Sequence, residues 1–339
     1  MGASDDTMAE GEGDGERPLA TMMLIAYNQA DSVGAAIAGA LAQTYRPLEI
    51  FISDDASSDG THAAMLAAVA GYAGPHRVVV NRNEVNLGIG AHLSRVVERT
   101  QGELMFVAAG DDVSLPERCE KTVAAWLASG KALDLIAAPL LDVDADGAVH
   151  GVLQPSDLSA YRSASDWLAR RPYVVGAAQA WTRRLIDRFG PLPAGVIGED
   201  MIMVFRAILS GGAITLAEPL VRYRRGGISR RRRSLDAASV VARIRKNTVN
   251  ALVELNQLLA DAERAGQREA VAAALEARLV RERFIRDIFA ATTTGERIRL
   301  ARGAHGVPRE VRLRMLVYAA WPQLLAPFFA LKRALPARD

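Results

Sequence analysis

The fold is first legible at Gly102-Glu103-Leu104-Met105-Phe106-Val107-Ala108-Ala109-Gly110-Asp111-Asp112-Val113-Ser114-Leu115-Pro116. Leu104 to Ala109 is an apolar run of buried-strand length, Gly110 permits a sharp turn, and Pro116 suits the first turn of a helix. Asp111 and Asp112 therefore lie on a turn at the carboxyl end of a strand. In an open α/β sheet the crevice beyond those strand ends is where ligands bind, and adjacent like charges are costly there unless a cation answers them. A hard divalent metal carrying a phosphate is such a cation, because Mg2+ is commonly held by one or two carboxylates. Alone, an Asp-Asp pair before Pro reads equally well as a solvated turn with a helix cap.

Upstream, Leu19 to Ala26 is apolar on both faces and ends at Tyr27-Asn28, as a central parallel strand does. A helix capped by Asp31 or Ser32 follows, with Val33, Ile37, Ala40 and Leu41 at helical spacing. Leu48 to Ser53 is the next strand and runs into a second acidic pair, Asp54-Asp55, after which Ser58-Asp59-Gly60-Thr61 opens a helix to about Tyr72. Arg77 to Val80 is a third strand, Asn86-Leu87-Gly88-Ile89-Gly90 a glycine-bearing loop, and Ala91 to Thr100 a third helix. This alternation predicts a parallel sheet with helices on both faces. Because every strand precedes its helix, Tyr27-Asn28, Asp54-Asp55 and Asp111-Asp112 are expected on one sheet edge. Two acidic pairs on one edge favour a cation site over two unrelated turns.

Downstream the pattern becomes α+β. A helix is expected from Pro116 to Ser129, a strand from Leu133 to Ala138, a hairpin turning at Asp146-Gly147, and a strand from Val174 to Trp181. Gly195-Val196-Ile197-Gly198-Glu199-Asp200 then leads into an apolar helix, Met201 to Leu209, whose start the acidic pair complements. Strands at Ala213 to Leu216 and Leu220 to Arg224 close a catalytic unit expected to span 18–235. Residues 236–339 read as helical. Within them Met315 to Leu331 is apolar but broken by Pro322 and Pro327, too short for a span. With Arg309, Arg312 and Arg314 before it and Lys332 and Arg333 after it, the segment 309–333 is expected in the interface of an anionic membrane. A buried helix packed on the catalytic unit is the alternative.

Half of the 339 residues are hydrophobic, enough for a large core or two domains. The single Cys119 forms no internal disulfide and the five His are scattered, which fits a reducing compartment. The opening residues lack the basic region and apolar core of a secretory signal, so a cytoplasmic location is expected, peripheral at the inner membrane face. Residues 1–17 are expected to form a disordered acidic tail, because the first 16 positions hold six of the 39 acids and none of the 41 Lys and Arg. The net charge of +2 thus hides a basic remainder, concentrated at Arg222, Arg224, Arg225 and Arg230 to Arg233. Such a cluster needs anionic company: ligand phosphates, nucleic acid or an acidic membrane.

The first 230 positions resemble a family 2 glycosyltransferase of the GT-A fold, a Rossmann-like α/β domain for nucleotide-diphospho-sugars. Ala26-Tyr27-Asn28-Gln29-Ala30-Asp31 is similar to the opening strand and turn of that family. Gln43-Thr44-Tyr45-Arg46-Pro47-Leu48-Glu49-Ile50 is similar to its next link. Asp54-Asp55-Ala56-Ser57-Ser58-Asp59-Gly60-Thr61 closely matches its Asp-Asp-x-Ser-x-Asp-Gly-Thr element. Asn86-Leu87-Gly88, Gly102-Glu103, Gly110-Asp111-Asp112 and Gly198-Glu199-Asp200 then follow in the family's order. The resemblance implies an inverting transferase in which Asp112 ligates Mg2+ or Mn2+ and Asp111 lies at the ribose or metal side. It implies that Asp55, Tyr27, Asn28 and Asn86 meet the nucleotide, that Asp200 is the general base, and that Glu199 positions the acceptor or the helix. Two departures stand out. Ala109 occupies a position where many relatives carry Asp, and Arg225 stands where many carry a His near the diphosphate; an Arg neutralises a diphosphate but does not ligate a cation.

No Gln-x-x-Arg-Trp element or long spanning helix accompanies these motifs, which argues for transfer of one or a few sugars rather than processive synthesis. The implied partners are a nucleotide-sugar donor and a glycan acceptor, lipid-linked in surface polysaccharide assembly. A protein or soluble acceptor, or an idle nucleotide-sugar-binding scaffold, are the alternatives. Gly88-Ile89-Gly90-Ala91-His92-Leu93 lacks the third Gly of a dinucleotide loop, a response regulator would be far smaller, and no nucleic-acid motif joins the Arg run.

Overall fold

A computed structural model describes residues 17–224 and 236–325. The expected tail, the Arg225 and Arg230–Arg233 positions and the end of the 309–333 segment lie outside the described residues. The first half alternates as the periodicity requires: β1 (Ala20–Ala26), α1 (Val33–Leu41), β2 (Leu48–Asp54), α2 (Thr61–Val69), β3 (Arg77–Arg82), α3 (Ile89–Val97) and β4 (Leu104–Ala109). All seven residues of β1 are buried, as an apolar run with no polar face demands of a central strand. A two-residue strand β5 (Val113–Ser114) follows the Asp111-Asp112 turn, then α4 (Arg118–Ala128), β6 (Leu135–Ala137) and the hairpin β7 (Leu140–Val143) and β8 (Val149–Leu153). The second half continues with α5 (Ala164–Ala169), β9 (Gln179–Thr182), α6 (Arg183–Phe189), α7 (Glu199–Ile208), β10 (Ala213–Thr215) and β11 (Val221–Arg224).

The main sheet has the order β10-β6-β9-β4-β1-β2-β3. Strands β1, β2, β3 and β4 are parallel, while β9 runs antiparallel between β4 and β6, so the sheet is mixed. The strand expected from Val174 onward is shorter than its apolar pattern. A 3-10 turn at Gly176–Ala178 precedes β9, because this backbone passes directly over Glu199, where a Cβ on Gly176 would lie 2.7 Å from Glu199 Oε1. A second sheet, β5-β11-β7-β8, stands beside the first and carries Arg224 to the Asp112 turn.

Each face of the main sheet has its own core. Helices α1 and α4 cover one side through Ile37, Ala40, Val123 and Trp126. The other side packs on α3 and α7 and continues without interruption into α8 (Ala237–Arg264) and α9 (Arg268–Ala290), where Leu255, Leu258, Leu259, Leu275 and Leu279 join the same cluster. Leu252, Leu255, Leu258 and Leu259 are therefore packing, as their helical spacing predicts. Arg206 of α7 and Asp261 of α8 close this junction as a fully buried ion pair, with Nε 2.8 Å from Oδ2. Gln257 Nε2 donates to the same carboxylate at 2.8 Å, and Arg206 also donates to Gly190 O at 2.8 Å. Removing one partner of such a pair strands a buried charge, so Arg206→Met is expected to lower unfolding free energy by about 3–5 kcal/mol in urea titrations.

Helices α10 (Thr294–Gly303) and α11 (Arg309–Ala320) form a satellite cluster with Phe284, Ile288 and Phe289 of α9. Helix α11 stops before Pro322, and a 3-10 turn at Pro322–Leu325 follows, so the proline interrupts the apolar segment as expected. Met315 is buried, whereas Leu313 and Leu324 are exposed. Among the described residues no helix is long and apolar enough to cross a membrane.

Candidate active site

Strands β1, β2 and β4 end in step, with Ala26 opposite Asp54 and Ile25 opposite Ala109. The amide of Asp55 donates to Ala26 O and that of Gly110 to Ile25 O, both at 2.9 Å, which stitches the three loops into one edge. Gly110 has no alternative: a Cβ there would lie 2.6 Å from Ala26 Cβ. The convergence expected from the alternating pattern follows from this register.

The two acids of the first pair do different work. Asp54 is fully buried, accepts from the amide and hydroxyl of Ser57, and pairs with Arg82 at 3.2 Å. Asp55 accepts at Oδ1 from Asn83 Nδ2 (2.8 Å) and Leu87 N (2.9 Å), and at Oδ2 from Gly88 N (2.9 Å). Three of the roughly four lone-pair positions of a carboxylate are thereby taken. Asp55 lines the cleft, but its bonds shape the Asn83–Gly88 loop, to which Asn86 adds a bond from Nδ2 to Asp55 O at 3.2 Å. Asn28 also has a role within the fold. It adopts a left-handed backbone, φ 52°, a conformation that Asn tolerates, and its Oδ1 accepts from Ser58 N at 2.9 Å. That bond fastens the Asp55–Ser58 turn to β1, and the side chain does not line the cleft.

A cleft of about 770 Å3 opens at this edge. Tyr27, Asp55, Asn86, Asp111, Asp112, Glu199 and Asp200 line it together, along with Tyr173, Gly176, Ile197, Tyr223 and Lys246. Among the described lining residues Lys246, from α8, is the one Lys or Arg. His92 lies in the cleft floor, its Nε2 2.7 Å from Ser53 Oγ, and burial holds its pKa below the ordinary value despite the neighbouring Asp55. Arg225 lies outside the described residues. Four contributors have no signature in sequence: His92, Tyr173, Lys246 and the buried Arg118. The guanidinium of Arg118 donates to Ser114 Oγ (2.9 Å), Val107 O (2.8 Å) and Gln179 O (3.2 Å), tying β5, β4 and β9 together beneath Asp112.

Burial, then repulsion from Asp111, pushes the Asp112 carboxyl up to about 8. The bond from Arg224 N to Oδ1 at 3.0 Å and the charge of Arg118 only partly offset this. Burial also raises Asp111. Two hard oxygen donors with so little countercharge fit a divalent cation that completes its shell from phosphate oxygens and water. Among the described residues no cluster of three acidic, His or Cys side chains is present to hold a metal without a substrate.

The second acidic pair sits in the first turn of α7. Glu199 is buried against Gly176, and burial followed by the charge of Asp200 raises its pKa well above the ordinary value. Asp200 is more open and accepts from Met201 N at 2.7 Å; burial lifts it to about 6. Burial raises both carboxyls, Glu199 further through the charge of Asp200, and leaves Asp200 as the more open group of raised basicity, a division suited to acid–base chemistry.

A mixed α/β sheet with a nucleotide-type edge, a carboxylate turn after β4 and a second acidic pair across the cleft defines a GT-A, Rossmann-like transferase domain followed by a helical region. Residues 21–154 match Glycosyl transferase family 2. The succinoglycan biosynthesis protein ExoO of Rhizobium meliloti is 30% identical over 230 residues, covering 63% of each chain. Of solved structures, Staphylococcus aureus TarS 1–349 with UDP-GlcNAc aligns over 94% of this chain and 93% of its own at 15% identity and TM-score 0.53. The mannosyltransferase PcManGT of Pyrobaculum calidifontis, with GDP-Man and Mn2+, aligns over 92% and 88% at 17% identity and TM-score 0.50. These two likenesses concern the fold. The chain spans between 38% and 63% of the length of the curated relatives it matches.

Proposed function

We propose that this protein is an inverting glycosyltransferase that moves a sugar from a nucleotide-diphosphate sugar to a hydroxyl of a glycan acceptor. The observation that carries this reading is that two unlike carboxylate sets, Asp111-Asp112 and Glu199-Asp200, line a single cleft beside Tyr27 and Asn86. Tyr27, at the end of β1, and Asn86, on the loop shaped by Asp55, face the nucleotide. Asp112, with Asp111, would hold Mg2+ or Mn2+, which when bound offsets the charge of the departing diphosphate. Asp200, ionised at neutral pH, takes the proton of the acceptor hydroxyl as that oxygen bonds to the anomeric carbon. The bond from that carbon to the diphosphate oxygen breaks on the opposite side, and the configuration inverts. Glu199 keeps the first turn of α7 seated against Gly176.

The likeness to ExoO supports an acceptor belonging to surface polysaccharide assembly. A lipid-linked acceptor at a membrane face fits the exposed Leu313 and Leu324 and the exposed Arg309 and Arg314 around α11. Sedimentation with anionic vesicles is expected to carry the protein down and to be weakened by Leu313→Glu; equal sedimentation of both would remove the membrane contact.

The transferase reading is tested by release of nucleoside diphosphate from a panel of nucleotide sugars, with glycan, lipid-linked and protein acceptors. One donor is expected to turn over, and EDTA to lower that turnover, with Mg2+ or Mn2+ restoring it. Nucleotide binding without turnover across every acceptor class would instead identify an idle scaffold.

A further inference from the structure

Glu254 lies mid-way along α8, in the region beyond the family match, and does not line the cleft. Its Oε1 accepts from Gly198 N at 2.9 Å and from Ile197 N at 3.2 Å. Those amides belong to the two residues just before α7. Helix starts leave such N–H groups unpaired unless a side chain accepts from them. Gly198 is the N-cap, and its own amide, which a Glu or Gln at the third helical position takes in a capping box, finds no such acceptor at Met201, so another helix supplies it. Gly198 O in turn accepts from Ile202 N at 3.2 Å, which closes the first turn holding Glu199 and Asp200.

We propose that Glu254 is the positioning residue for Asp200, a carboxylate from the C-terminal helices that clamps the start of α7 so that the base faces the acceptor hydroxyl. The inference rests on the transferase reading above. Charge supports the geometry. Glu254 adds to the negative field at Asp200, and Glu199 on the same helix feels the charge of Asp200; Asp111, Asp112 and Lys246 of α8 are the other charged groups that line the cleft with Glu199 and Asp200 beside Asp55 and His92. Arg171 and Arg278 stand toward Glu254 from its other side and attract it. The clamp thus couples the α8–α9 pair to both the orientation and the basicity of the base.

Two variants separate these contributions. Glu254→Gln keeps an oxygen for both amides and removes the charge, so the acid limb of kcat is expected to move to lower pH with the loop intact. Glu254→Ala removes the clamp, and kcat is expected to fall about 10²-fold, as for a misplaced catalytic group, with donor KM unchanged. Hydrogen exchange of the Ile197 and Gly198 amides reads the clamp without any turnover: protection is kept in Glu254→Gln and lost in Glu254→Ala. Unchanged exchange in both variants, or an alanine variant with wild-type kcat, would overturn the proposal. If the alanine variant does not fold, an unmoved acid limb in a stable glutamine variant does the same. A wild type that turns over no donor, with exchange behaving as expected, would count against the transferase reading and leave the clamp standing.

Discussion

Asp200→Asn is expected to lower kcat by about 10³-fold, within the range for loss of a general base, while nucleotide-sugar affinity stays near wild type. The pH profile supplies the stronger signature. With the ionised carboxylate as the proposed base and its pKa lifted by burial to about 6, wild-type kcat is expected to decline as pH falls through that value. Residual turnover of the Asn variant is expected to show no such limb. Glu199→Gln is the matched control. Glu199 is buried, and burial followed by the charge of Asp200 raises its pKa well above the ordinary value, so a neutral isostere is expected to retain most of the activity. Equal losses at both positions would reverse the assignment of roles.

Asp112→Asn is expected to reduce turnover by at least about 10²-fold and to abolish the response to divalent ions, since the loss removes a cation ligand facing the developing diphosphate charge. Its effect on stability has the opposite sign. The folded-state pKa of Asp112, about 8, lies above the ordinary carboxyl value. Its contribution to stability is therefore full below the unfolded-state pKa and is lost as pH rises through the folded one. At neutral pH without divalent ions the Asn variant is expected to melt no lower than wild type, because its side-chain oxygen still accepts from Arg224 N. Adding Mg2+ or Mn2+ with nucleoside diphosphate is expected to raise only the wild-type melting temperature. A variant that melts lower in metal-free buffer would show that the Asp112 charge is not strained.

Most of the nucleotide half was legible because its determinants are local. Apolar strand runs, the glycines at turns and the acids that follow them lie within a few residues of one another, and short parallel connections force the edges into register. The roles of Asn28 and Asp55 were harder to read. Motif position places them at the edge, but only the fold shows their bonds directed into neighbouring loops. The later half was opaque for another reason. The insertion of β9 between β4 and β6, the bond from Arg118 to Gln179, Lys246 on the cleft wall and Glu254 on Gly198 each depend on partners dozens of residues away. Nothing in an Ala-, Leu- and Arg-rich helix announces which of its carboxylates will reach an amide on another element.

The continuity of the α7 core with α8 and α9 has a consequence for engineering and descent. A chain cut at residue 235 would leave Arg206 without Asp261, Gly198 without its acceptor, and the surface beneath Leu255, Leu258 and Leu275 open to water. The helices are thus an inseparable half of the transferase rather than an interchangeable accessory. Recombination with a relative is expected to be tolerated only where the crossover carries α7, α8 and α9 together.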